Sequence, residues 1–225
     1  MKKTVLALLL LVLAVPMTSA QTVIKYRRPM RPISIEAGAS YNMVGNFDGR
    51  AKGGFFPAGG ITFEGPMNYS LDIVLKLRYR NKNFVGVEKE GYSTPLEHRI
   101  HSICMDMGVN WYPFHQFWYM GAFFQFGGNV VAHRIDLDGS WHLVPGASEA
   151  HGMNALGLFL GFSVETGFSF SFWPIGDHFT IFGRYDRDFG CVFDKEYCKD
   201  FGLSNKMRAH AFSVGVRIPF SVIRD

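Results

Sequence analysis

Side chains alternate between apolar and polar along most of the chain, and this restricts the fold more than any other feature. A period of two belongs to β-strands whose faces meet different surroundings. The longest run, 156–172, sets Leu156, Leu158, Leu160, Phe162, Val164, Phe168, Phe170 and Phe172 against Gly157, Gly161, Ser163, Glu165, Gly167, Ser169 and Ser171. Segment 71–80 sets Leu71, Ile73, Leu75, Leu77 and Tyr79 against Asp72, Val74, Lys76, Arg78 and Arg80. Segment 102–111 sets Ile103, Met105, Met107, Val109 and Trp111 against Ser102, Cys104, Asp106, Gly108 and Asn110. Five more strands are expected at 33–43, 55–64, 118–129, 179–186 and 209–220, the second weakened by Pro57 and its glycines. With 22 Phe, 9 Tyr and 25 Gly, the composition suits curved strands better than helices.

The connections sort by length. Gly65-Pro66-Met67-Asn68, Tyr112-Pro113-Phe114-His115 and Trp173-Pro174-Ile175-Gly176 read as short turns, whereas 81–98, 133–154 and 187–207 read as long polar loops and 44–54 as a modest one. Short turns at one end and long loops at the other are how outer-membrane barrels are built. Trp111, Tyr112, Phe114, Phe117, Trp118 and Tyr119 gather around one short turn, and Phe170, Phe172 and Trp173 approach another. Such rings favour the headgroup level, which assigns these turns to the periplasmic interface. Tyr79 and Tyr185 are candidates for the opposite girdle. The expected fold is all-β, a transmembrane antiparallel up-and-down barrel of eight strands.

Residues 1–20 read as a secretory signal, with Lys2 and Lys3, an apolar stretch Val5 to Val15, and the small-residue site Thr18-Ser19-Ala20. Residues 21–32 are expected to form a periplasmic N-terminal extension and 33–225 the barrel. No later run is long and apolar enough for a transmembrane helix. Loss of the signal lowers the formal charge from +4 to +2, too little to argue for nucleic acid. In an oxidising compartment Cys191 and Cys198 are expected to pair across a polar loop, and Cys104 to be a buried thiol.

Alternation alone leaves two arrangements open. A soluble ligand-binding barrel points its apolar face inward. Lipid demands the reverse, and only a closed sheet satisfies every backbone group there. Sorted loops and aromatic belts favour the second. The inward face then carries Glu36, Glu64, Asp72, Asp106 and Glu165 with Lys76, Arg78, Arg80, Arg184 and Arg217. Eight strands enclose only enough space for side chains, so this balanced set is expected to form an ion-paired plug. A narrow gated channel is the alternative.

With these features the chain resembles the OmpA/OmpX-like eight-stranded outer-membrane barrels over nearly all of its mature length. The most specific stretch is Ser213-Val214-Gly215-Val216-Arg217-Ile218-Pro219-Phe220, similar to the family's β-signal. The resemblance implies that Ser213, Gly215, Ile218 and Phe220 are read by the barrel-assembly machinery. Pro219 and the five residues after Phe220 depart from that pattern. A final amphipathic strand without a recognition role would explain the same residues.

Catalytic chemistry is thinly supported. His98, His101, His133, His142 and His151 fall in the expected loops, where imidazoles can bind metal or haem, or be merely solvated. His101-Ser102 and His210 with Ser213 approximate a nucleophile and base, but no orienting acid completes either. No cofactor is implied and no catalytic or metal residue is assigned. Trp141, His142, Phe189, Phe193 and Tyr197 are aromatic candidates for binding a protein or glycan from the extracellular loops. The expected function is a non-enzymatic structural or docking barrel, possible as a subunit of an envelope complex, whose other partners are outer-membrane lipid and the assembly machinery. An enzyme acting on lipid A or peptides, such as a lipid hydrolase or acyltransferase, and a channel are the alternatives.

Overall fold

The computed structural model describes residues 30–45, 50–52, 54–87, 96–114, 117–135, 141–143, 157–171, 178–192 and 208–223. Among them the chain forms β1 (Met30–Gly45), β2 (Arg50–Lys52), β3 (Gly54–Pro66), β4 (Leu71–Asn81), β5 (Phe84–Val87), β6 (Leu96–Phe114), β7 (Trp118–Ile135), β8 (Trp141–Leu143), β9 (Leu158–Ser171), β10 (His178–Asp188) and β11 (Arg208–Ile223). The eight long strands pair antiparallel around a ring, β1–β3–β4–β6–β7–β9–β10–β11. β11 returns to β1, with Glu36 opposite Arg217 and Gly38 opposite Gly215, so the sheet has no free edge in its wall. Short β5 joins β2 to β6, and β8 pairs antiparallel with the end of β7, both at the loop end. The fold is a closed eight-stranded antiparallel β-barrel.

Each expected strand is present, and most run further than alternation indicated. β6 begins at Leu96 and β7 ends at Ile135, so His98, His101 and His133 stand on strands and not in loops. Polar residues at strand ends above an apolar belt give no alternation to read. β1 likewise starts at Met30, inside the segment expected to be an extension, and the expected loops 44–54, 81–98 and 133–154 contain β2, β5 and β8. The first short turn also falls two residues later than expected. Gly65 and Pro66 remain in β3, and Asn68 closes the turn by accepting hydrogen bonds from the Ser70 and Leu71 amides at 2.9 Å each. At the second, Phe114 still pairs with Trp118 across the turn. The third expected turn, residues 173–176, lies outside the described residues, as do the signal segment and His151.

Glycine lets two strands approach at the closure. A Cβ on Gly38 would lie 2.3 Å from the Val214 carbonyl oxygen, and one on Gly215 would lie 2.7 Å from that of Ala37. A bulge between β6 and β7 sets His101 opposite Val131 but Ser102 opposite Asn129, which leaves Val130 extra. The inserted residue inverts the facing of the strand beyond it, so Asn129 and Ala132 are buried while Val130 is exposed.

Candidate functional site: a sealed lumen and an apolar wall

The two faces of every long strand now separate. Outward stand Ile33, Ile61, Leu75, Leu77, Met105, Phe124, Phe168, Ile181 and Val214, the last 64% exposed. Inward stand charges and amides, with Lys76, Asp106, Asn110 and Gln125 at 0% exposure. On β4 the outward set runs from Ile73 to Tyr79 and on β11 from Phe220 to Phe212. At ~2.5 Å of height per tilted residue these belts are on the order of 15–20 Å tall, most of the ~25 Å apolar band of an outer-membrane barrel.

All ten charged residues expected in the lumen face it, and they assemble into layers. At the short-turn end Arg217 donates to Glu64 at 2.9 Å and Asn110 donates to the same oxygen at 3.3 Å. Asp72 is buried beside them, opposite Asn110. Above lies the densest cluster. The Glu165 carboxylate accepts from Lys76 at 2.7 Å, from Arg184 Nε at 2.6 Å, from Arg217 at 2.6 Å and from the Tyr119 hydroxyl at 2.6 Å. Glu36 accepts from Thr62, Arg184 and Arg217, each at 2.6 Å. Next, Arg78 bridges Asp106 at 2.6 Å and Asp186 at 2.9 Å, while Gln125 donates to both acids at 3.2 and 2.7 Å. At the loop end Asp188 accepts from Arg80 at 3.0 Å and pairs with Lys82 at 2.5 Å. Aromatic faces fill the remaining space, Phe123 under Lys76 at 4.0 Å and Phe159 under Lys82 at 3.2 Å.

The sequence reading missed Asp186, Asp188 and Lys82, which complete the two upper layers, and the inward aromatics Phe123, Phe159 and Phe182. Asp186 shares the parity of Arg184 on the same strand, and that signal could have found it. Tyr119 is a correction. Expected in the periplasmic girdle, it is fully enclosed against Glu165, because it shares parity with Gln125 and Asn129 and not with Trp118. Trp118 does face outward, its indole donating to Thr166 at 2.9 Å. Ser213 and Gly215 are lumen-facing on β11, whereas Ile218 and Phe220 point outward. Phe189 is half exposed and packs on Phe162 with ring centroids 5.8 Å apart. Trp141 and His142 lie on β8; Phe193, Tyr197 and Cys198 are outside the described residues. Cys104 is buried in the lumen wall, and Cys191 is half-buried just beyond β10. Among the described residues no three His, Cys, Asp or Glu side chains converge as a metal site.

Solved structures to which the chain is similar include Neisserial surface protein A, 15% identical over 86% of this chain and 100% of that one, with a TM-score of 0.47. Ail, the attachment invasion locus protein of Yersinia pestis, is 13% identical over 84% and 100%, TM-score 0.45. The outer membrane protein OprG from Pseudomonas aeruginosa is 13% identical over 82% and 93%, TM-score 0.42. No family model and no curated protein matches the sequence.

Proposed function

We propose that this chain is an integral, non-enzymatic protein of a Gram-negative outer membrane, and that its barrel is a closed scaffold carrying docking loops. One observation supports this most: the barrel is inverted, with its charges buried inside and a predominantly apolar wall outside. Water would select against a wall of that kind, whereas acyl chains solvate it and the sheet, having no edge, leaves no backbone group wanting a partner. The ion pairs on this reading close the lumen to solutes, so the work falls to the ends. On this reading Ser213, Gly215, Ile218 and Phe220 guide insertion, a Cys191–Cys198 disulfide tethers the last loop, and Trp141, His142, Phe189, Phe193 and Tyr197 meet a protein or glycan. In-cell crosslinking from photoreactive residues at Trp141 and Phe189 tests it. Capture of one dominant surface partner in the outer-membrane fraction is expected. A wholly soluble chain would refute the membrane placement, and a membrane chain with no crosslinked partner would refute docking.

A further inference from the structure

The outer wall carries a repeated polar arrangement just above the apolar belt, and lumen packing has no use for it. On β6 Arg99 and His101 face outward, and on β4 the Tyr79 hydroxyl meets His101 Nδ1 at 2.5 Å, the rings stacked 6.0 Å apart. On β11 Arg208 and His210 repeat the Arg-x-His spacing, and on β10 the Tyr185 hydroxyl meets His210 Nδ1 at 2.7 Å, with rings 6.1 Å apart. The register is the same in both: each tyrosine is opposite the residue two positions beyond the histidine, Tyr79 opposite Ile103 and Tyr185 opposite Phe212. A tyrosine that donates to Nδ1 fixes the imidazole with its proton on Nε2, so the ring offers a donor toward the surroundings.

The two copies differ in charge balance. Beside His101, Arg99 Nε donates to Glu97 at 2.7 Å, which neutralises that copy. Beside His210, the register brings two arginines onto the same outward face. Arg187 is its cross-strand partner and Arg208 lies two residues along the same face; both act on the imidazole electrostatically, and Asp188 acts on it with the opposite sign. Among the described residues neither arginine is ion-paired with a carboxylate. The nearest acid in sequence, Asp188, points into the lumen and is held by Arg80 and Lys82. Two arginines and an imidazole N–H directly above a Tyr–Phe edge offer donors without an acceptor, at the height where lipid headgroups lie.

We propose that Arg187, Arg208 and His210, braced by Tyr185, bind a phosphate group of a glycolipid in the outer leaflet. The ligand is a phosphomonoester on a lipid whose acyl chains lie along Phe212, Val214 and Ile181 below the site. This rests on the membrane placement proposed above. The test uses the full chain, stripped of lipid and refolded in neutral detergent, titrated with bis-phosphorylated lipid A, dephosphorylated lipid A or inorganic pyrophosphate and read by native mass spectrometry. Phosphorylated lipid A should bind at least tenfold more tightly than the dephosphorylated form. R187Q/R208Q should abolish that preference and R187K/R208K should retain much of it, each checked for the heat-shifted band of a folded barrel. If the double glutamine variant does not fold, R208Q alone should reduce the preference severalfold. Equal binding of the two lipids, or a preference untouched by R208Q and R187Q/R208Q, overturns the site. Pyrophosphate binding as tightly as the lipid overturns the lipid source in favour of a free anion. A chain that folds as a monomer without detergent would instead defeat the membrane placement itself.

Discussion

Glu165→Gln removes one charge from the densest part of the lumen while keeping the side chain's shape. Three carboxylates, Glu36, Glu64 and Glu165, there face three cations, Lys76, Arg184 and Arg217. Neutralising Glu165 leaves three buried cations against two acids. It also turns an amide N–H toward groups that are themselves donors. Breaking a buried, hydrogen-bonded ion pair by removing one partner costs about 3–5 kcal/mol, because the other charge is left uncompensated. We expect a loss in that range, despite four bonds to the carboxylate, since effects within one network do not add. Lys76→Met with Glu165→Gln restores the balance at two against two, so the double variant should be more stable than the sum of the single losses predicts by at least ~1 kcal/mol. Urea unfolding from phospholipid vesicles, followed by tryptophan fluorescence, measures all three. A single-variant loss under ~1 kcal/mol, or simple additivity in the double variant, would refute the picture of a dry, mutually compensated plug.

Other outcomes rest on the same geometry. Purified protein in planar bilayers should give no discrete conductance steps, because each lumen layer is bridged by hydrogen bonds; regular steps in the wild type would contradict this. Leu75→Arg, in the middle of the outer belt, should cost about 2–4 kcal/mol in vesicle unfolding, and Tyr79→Arg near the loop end no more than about 1. Gly38→Val should destabilise the closing β1–β11 pair by about 1–3 kcal/mol, since the added Cβ meets backbone and not a movable side chain. A valine there that leaves the unfolding midpoint unchanged would show that the seam has room.

The strands and their facing were legible wherever one face was plainly charged, as on β4, where Lys76, Arg78 and Arg80 mark the inside. Legibility failed where both faces looked alike. On β7, Phe124 and Phe126 meet the outside while Phe123 lies under Lys76. Hydropathy cannot distinguish these phenylalanines; only the parity of Gln125 and Asn129 does. The ends of strands were lost for a related reason. Above the belt, polar residues occur on both faces, so His98, His101 and His133 resembled loop residues although backbone pairing holds them in the wall. Partners within the lumen were beyond the sequence altogether: Arg78 reaches Asp186 across 108 residues, a neighbour that only barrel closure creates.

The central claim is that the apolar face of the wall meets lipid and the charged face is enclosed. Spin labels placed singly at Ile73, Leu75, Leu77, Val214 and Val216, in protein reconstituted into phospholipid vesicles, measure it most directly through collision with oxygen and with a water-soluble nickel chelate. High oxygen accessibility and near-absent nickel contact at all five sites is the result predicted. Free access of the nickel chelate to these sites would mean that water bathes the apolar wall, and would contradict the account.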